Sequence, residues 1–419
     1  MNTIKESTGI DTAQNQASEN ESGLKGALDK LRVIDLGLLV QGPQAALLLA
    51  DLGADVIKIE LPDFGDQARW IPISMEDLRA PWFIGCNRGK RSVTLDLRLR
   101  QGKEIFLRLV ETADVVVSNF LPGTMEGWGL GYDQLAERNS RIIYGAASAF
   151  GSLGPDASRK GADLTGQAAG GMLYRTGTGP EDITPIGVTL ADHIGSQNLA
   201  NGILAALFSR EKTGRGQKVE VSLLGGQIYA QASEYTYYFL TGKAPGHANR
   251  GHPMLPTIYG IFPTSDGHLA IVGVAAHLRS AFFQAIGRPE LADDPRFIGP
   301  LLTDENRRIL FDLLTEILQS KTTIEWEQIL EAAGQRYAPV RDYAQVAHDE
   351  GAFINGYLQR INHPEWGPTT MIGFPIQLSE TPATPGRIAP ELSQHTEEIL
   401  LELGYGWDDI NSFRDAKVI

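Results

Sequence analysis

Short apolar runs alternate with stretches of helical period along the first half of the chain. Val33-Ile34-Asp35-Leu36 reads as a strand, Gly37 to Pro43 as a loop, Gln44 to Leu52 as a helix, and Val56-Ile57-Lys58-Ile59-Glu60 as a second strand. Strand, helix and strand at this length form a βαβ unit, hence parallel pairing and a right-handed crossover. Residues 61–86 read as loop, punctuated by Pro62, Gly65, Pro72 and Pro81. Val93 to Arg98 follows as a strand, and Gln101 to Thr112 as a helix with Ile105, Leu107, Leu109 and Val110 as candidate core. Asp114–Val117 and Ile142–Ala147 are further runs of the doubly buried, parallel type. Gly187 to Ala191 is an apolar, strand-like run ending in Asp192. A helical pattern then places Ala200, Ile203, Leu204, Leu207 and Phe208 on one face. Lys212 to Leu224 is a Gly-rich turn and an alternating strand.

The second half is mixed. Gly225 to Leu240 reads as one helix, rich in Tyr, whose crowded aromatic residues suggest a packed interface. Lys243 to Pro256 is a Gly/Pro/His-rich linker. Tyr259 to Val272 reads as a hairpin about Ser265-Asp266-Gly267, with helices near Leu278–Ile286 and Asn306–Gln319. Thr322 to Ala333 is an amphipathic helix, and Ala338-Pro339-Val340 opens a further segment. The predicted class is α/β: a Rossmann-like, parallel-sheet large domain with a smaller α+β domain.

Composition narrows the function classes. A chain of 419 residues holds two domains or one elaborate one. The formal charge of −14 disfavours nucleic acid and anionic membranes as partners, so a phosphate-bearing ligand needs local basic residues. Cys86 is the one cysteine, which excludes an internal disulfide and a cysteine metal cluster and fits a cytoplasmic location. No run is long enough to span a bilayer. Residues 1–28 are polar, lack a signal h-region, and read as a flexible extension. No H-x-x-x-H spacing supports a metal among His247, His252 and His268.

Five stretches carry candidate chemistry. The loop Gly37 to Pro43 lacks G-x-G-x-x-G, which argues against nicotinamide or flavin binding. Asn87-Arg88-Gly89-Lys90-Arg91-Ser92 is a basic cluster at a sheet edge, suited to phosphates or to a solvated surface. Ser118-Asn119-Phe120-Leu121-Pro122-Gly123 ends a buried strand; Pro122-Gly123 is also an ordinary turn. Asp192 lies between glycines at a helix mouth, where an N-cap is the plain alternative to a reactive carboxylate. The same alternative holds for Asp163 in Lys160-Gly161-Ala162-Asp163.

Asp192 with its helix, the turn Lys212 to Lys218 and the strand beyond it together resemble the class III CoA-transferases, from about Leu31 to the C-terminus. The resemblance implies that Asp192 is the catalytic nucleophile. It also implies CoA binding by Val40, Gln41, Lys90, Arg91, Leu95, Arg98, Asn119, Phe120, Lys160 and Asp163. CoA thioester is then a substrate, with no permanently bound cofactor and no metal. The partners are an acyl-CoA donor and a carboxylic acid acceptor. The family implies a large domain built from N- and C-terminal segments (29–230 and 326–419) around a small domain (231–325). It also implies a ring-shaped chain in an interlocked homodimer, with a heteromer of paralogous subunits as the other arrangement. The chain departs from the family at Leu61 and Gly127, where an Arg stands in the formyl-CoA member, and at Ala162, where related racemases carry a His. Racemisation and a silent CoA-binding subunit are the alternative functions.

Overall fold

The computed structural model describes residues 26–247, 251–255, 257–385 and 388–419. Most of the polar extension and the centre of the Gly246–Gly251 stretch lie outside the described residues.

The predicted parallel runs pair as one six-stranded sheet: β1 Arg32–Asp35, β2 Asp55–Glu60, β3 Arg91–Thr94, β4 Val115–Ser118, β5 Ile143–Ser148 and β6 Lys218–Ser222. Its order is β3-β2-β1-β4-β5-β6, and every pairing is parallel. Alternation along each strand feeds two cores. Ile34, Ile57, Val93 and Val116 face the helix Arg100–Val110 through Ile105, Phe106 and Leu109. Val33, Val56, Val115 and Val117 face the first helix, Gln41–Asp51, and the long helix Leu190–Thr213. The order reverses between β1 and β4, and open α/β sheets bind ligands in the crevice beyond such a reversal.

A separate core of Phe262, Phe282, Phe283, Phe297 and Trp326 lies under a three-stranded antiparallel sheet. Its strands are β7 Ile258–Pro263, β8 His268–Val274 and β9 Tyr337–Pro339. β10 Leu358–His363 and β11 Gly367–Ile372 form a hairpin of their own. The chain then returns to the large sheet. The backbone N–H of Gly89 donates to Ile388, that of His395 to Ser92, and that of Asp96 to Val418, while Ile399, Leu400 and Ile410 complete the first core. Among the described residues no helix is long and apolar enough to cross a membrane.

Several elements differ from expectation. Gly187 to Ala191 forms no strand, because no neighbouring strand offers it a ladder; Asp192 is instead the third residue of the helix Leu190–Thr213. Within the expected 61–86 loop lie a 3-10 turn, Gln67–Trp70, and a helix, Pro81–Asn87, started by the proline at its first position. The Tyr-rich helix is two, Leu223–Ala230 and Ala232–Thr241, the former capped by Ser222. Ala338 and Pro339, expected to open a further segment, lie instead in β9, which pairs with β8.

Candidate active site

The long helix begins without a cap of its own: Thr189 sits at the N-cap position and makes no side-chain capping bond. The cap comes from another helix. Asp163, first residue of Asp163–Ala169, accepts through Oδ1 from the backbone N–H groups of Ala191 (2.7 Å) and Asp192 (3.1 Å). Its Oδ2 accepts from Gln167 Nε2 at 2.6 Å. A carboxylate here satisfies orphan donors and meets the positive end of the helix dipole. Asp163 is thus a cap, as its plain alternative had it, though of a helix 28 residues away.

Asp192 itself is half-buried. Burial first, and the nearby Asp163 charge second, push its carboxyl up to about 7. A carboxylate raised this far is poorly solvated, and poor solvation suits a nucleophile. Behind it, Ser196 Oγ bridges the backbone carbonyls of Asp192 (2.7 Å) and Gln41 (2.8 Å). His193 is held between Gln44 and Thr189, and burial lowers its pKa.

The structure brings some of the expected CoA residues together. Leu95, Arg98 and Phe120 line an apolar crevice of about 230 Å³ with Leu36, Ile59 and Trp128, at the strand ends beside the reversal. Phe120 meets Trp128 edge-on at 5.5 Å and also borders a larger cleft of about 730 Å³ over the ends of β4–β6. A third recess, about 380 Å³, is bounded by Trp82, Asp163, Gln167, Val188 and His193. Val40 and Gln41 are buried at the start of the first helix, and Gln41 lies against Gly195, one turn past Asp192. Arg98 is mostly exposed and paired with Asp96 at 2.7 Å, while Lys160 stands exposed before Asp163.

Other expected residues are engaged with the protein itself. Lys90 is fully buried, and its Nζ donates to Asp35 Oδ2, the Pro43 carbonyl and Asn87 Oδ1, each at 2.7 Å. All three ammonium donors are used, and burial lowers its pKa to about 8 against the pull of Asp35. Arg91 starts β3, at the edge opposite the crevice, and pairs with Asp55 (2.6 Å), Glu398 (2.9 Å) and Glu402 (2.6 Å). Asn119 is spent across the reversal: its Oδ1 accepts from Leu38 N–H and its Nδ2 donates to Leu38 C=O, both at 2.8 Å. Sequence reasoning missed Gln44, Trp82, Gln167 and Ser196. Only Gln44, one helical turn from Gln41, carried a signal.

Known proteins share this chain's sequence pattern and fold. The family model for CoA-transferase family III matches residues 28–396. The succinyl-CoA:mesaconate CoA-transferase of Haloarcula hispanica is 36% identical over 392 residues, 91% of this chain and 97% of the relative. The acetyl-CoA:oxalate CoA-transferase of Acetobacter aceti is 36% identical, covering 85% of this chain and 90% of its own. A CAIB/BAIF family protein from Brucella suis superposes with a TM-score of 0.80 at 32% identity, over 90% of this chain and 100% of that one. With a match across nearly the whole chain and relatives above 30% identity, the protein belongs to CoA-transferase family III and is an enzyme that moves CoA between an acyl-CoA and a carboxylic acid.

Proposed function

We propose that Asp192 carries the transfer as a covalent nucleophile. Its carboxylate attacks the donor thioester carbonyl, giving a mixed anhydride and CoA thiolate. The thiolate attacks the Asp192 acyl carbon, releasing the donor acid and leaving an aspartyl-CoA thioester. The acceptor carboxylate attacks that thioester, forming a second anhydride and freeing the thiolate. The thiolate then takes the acceptor acyl group, and Asp192 is regenerated. Each step exchanges one acyl–oxygen or acyl–sulfur bond for another, so no redox partner or metal is needed. The observation that carries this reading is a half-buried carboxylate in the first turn of a helix that Asp163 caps, pushed up to about 7 by burial and next in sequence to His193, which borders a recess.

CoA lies, in this proposal, with its adenine end in the crevice of Leu95, Arg98 and Phe120, and its thioester toward Gln41 and Asp192. Lys160 and Arg98 are the exposed cations for its phosphates, while Lys90 and Arg91 brace the fold around it. The enzyme is cytoplasmic and dimeric, the dimer supported by the helix Ala232–Thr241, which buries none of its residues despite its aromatic content. Incubation with succinyl-CoA or acetyl-CoA and hydroxylamine should leave a hydroxamate mass shift on the peptide containing Asp192. A shift on another residue, or turnover with none, rejects the mechanism. Incorporation of solvent deuterium at the α-carbon of an acyl-CoA would instead mark a racemase.

A further inference from the structure

The turn between β1 and the first helix is held in a costly shape. Leu39 has a φ of 62°, in the left-handed region that the Cβ of an L-residue disfavours. Side chains from four separate places hold the backbone around it. Gly37 N–H donates to Asp35 Oδ1 at 2.8 Å, and Gly37 C=O accepts from Lys58 Nζ at 2.8 Å. Leu38 is bonded at both ends by Asn119. Leu39 N–H donates to Asp66 Oδ1 at 2.9 Å. The other oxygen of Asp66 lies 2.9 Å from Lys58 Nζ, and both side chains are wholly buried. Buried charges are expensive unless closely paired, and here they converge on the backbone of Gly37 and Leu39, on either side of Leu38. Backbone strain that is kept against such expense is concentrated at functional sites.

The turn leads straight into the reacting region. Its last residues open the first helix, where Gln41 C=O accepts from Ser196 and its side chain lies on Gly195, while Gln44 contacts His193. The left-handed step also throws the Leu39 side chain onto Ala68, Ala80 and Phe83, which ties the segment after β2 to the same point.

We propose that Asp66 is a positioning residue for acyl transfer: by holding Leu39 in its left-handed turn, it keeps the first helix in place against the first turn of the Asp192 helix. This rests on the CoA-transferase mechanism proposed above. Asp66 touches no reacting atom; it acts through the turn.

The test is a double-mutant cycle. Asp66→Ala and Asp66→Asn are each made with and without Leu39→Gly. Acylation by succinyl-CoA and acetyl-CoA is followed by hydroxylamine trapping, free CoA affinity by calorimetry, and folding by thermal melting. Asp66→Ala should slow acylation about tenfold, the scale set by one left-handed residue, with a smaller change in CoA affinity. Leu39→Gly removes the steric cost, so it should speed acylation in the Asp66→Ala background while slowing it, or leaving it unchanged, in the native one. A purely structural role predicts the same sign in both backgrounds, and that result overturns the proposal. Should Asp66→Ala lack a cooperative melt, the same comparison in Asp66→Asn decides. If the native protein is not acylated at all, the mechanism at Asp192 is rejected. If it is acylated and the two substitutions act additively, only the role of Asp66 is rejected.

Discussion

In the proposed mechanism two carboxylates set the chemistry at the scale of single residues. Asp163 caps the helix that carries Asp192, and the same proximity helps raise the Asp192 pKa to about 7. Attack requires the ionised form, so the acylation rate should climb with pH through about 7 and level off above it; a rate independent of pH between 5 and 9 contradicts this. The raised pKa also costs stability. Below the ordinary carboxylate value the folded and unfolded states are both protonated, and nothing is lost. Between that value and 7 only the unfolded chain releases its proton, so stability falls as pH rises, and the loss is complete above 7. Asp192→Asn should therefore melt higher than the native protein at pH 8, by on the order of 2 kcal/mol after discounting for partial exposure, and the gain should fade toward pH 4. Asp163→Asn keeps an acceptor for the cap and removes the charge, so its acylation profile should move to lower pH with little change in melting. Asp163→Ala removes the cap too and should cost about 1 kcal/mol. The setting of Asp192 between glycines before a helical pattern was legible in the sequence, and the nucleophile role proposed for it came from the family resemblance. The cap was not, because its donors lie 28 residues away and only the fold joins them. Lys58 was an unread signal: a lysine inside Val56-Ile57-Lys58-Ile59-Glu60 must find buried partners, and it finds Asp35 and Asp66.

Among the elements, the parallel strands were the most legible, since burial on both faces leaves continuous apolar runs. β9 was not, because three residues with alternating exposure acquire their identity only by pairing with β8. The run before Asp192 misled for the converse reason, being apolar without a strand to pair with. The basic cluster divides by element as well. Lys90, between the helix Pro81–Asn87 and β3, spends its ammonium on three neighbours, while Arg98 projects beyond β3 into solvent. Lys90→Met should strand Asp35 with fewer partners and cost about 3 kcal/mol or more, seen as a large fall in melting temperature. Arg98→Ala should leave melting nearly unchanged and weaken CoA binding, more so at low ionic strength. A stable Lys90→Met protein with impaired CoA binding alone would return Lys90 to the ligand.

At the scale of the whole molecule, the helix Ala232–Thr241 exposes Phe239 at 76% and Leu240 at 81%, beside Tyr229 at 78% on the preceding helix. In the dimer proposed above, these apolar side chains are the surface that the partner subunit would cover. Phe239→Glu together with Leu240→Glu should shift the protein from dimer to monomer in sedimentation and lower its activity, with the melting of the isolated chain little changed. A native protein that sediments as a monomer at micromolar concentration is the opposing result.

The return of residues 388–419 to β3 has a further consequence for biosynthesis. Ser92 and Asp96 receive their partners from His395 and Val418. One flank of the principal sheet therefore stays open while more than three hundred intervening residues emerge from the ribosome. During that interval the first core lacks Ile399, Leu400 and Ile410, and the apolar surface they would cover is a docking point for chaperones. Ribosome stalling or proteolysis ahead of Ile388 should yield aggregates in place of a shortened enzyme.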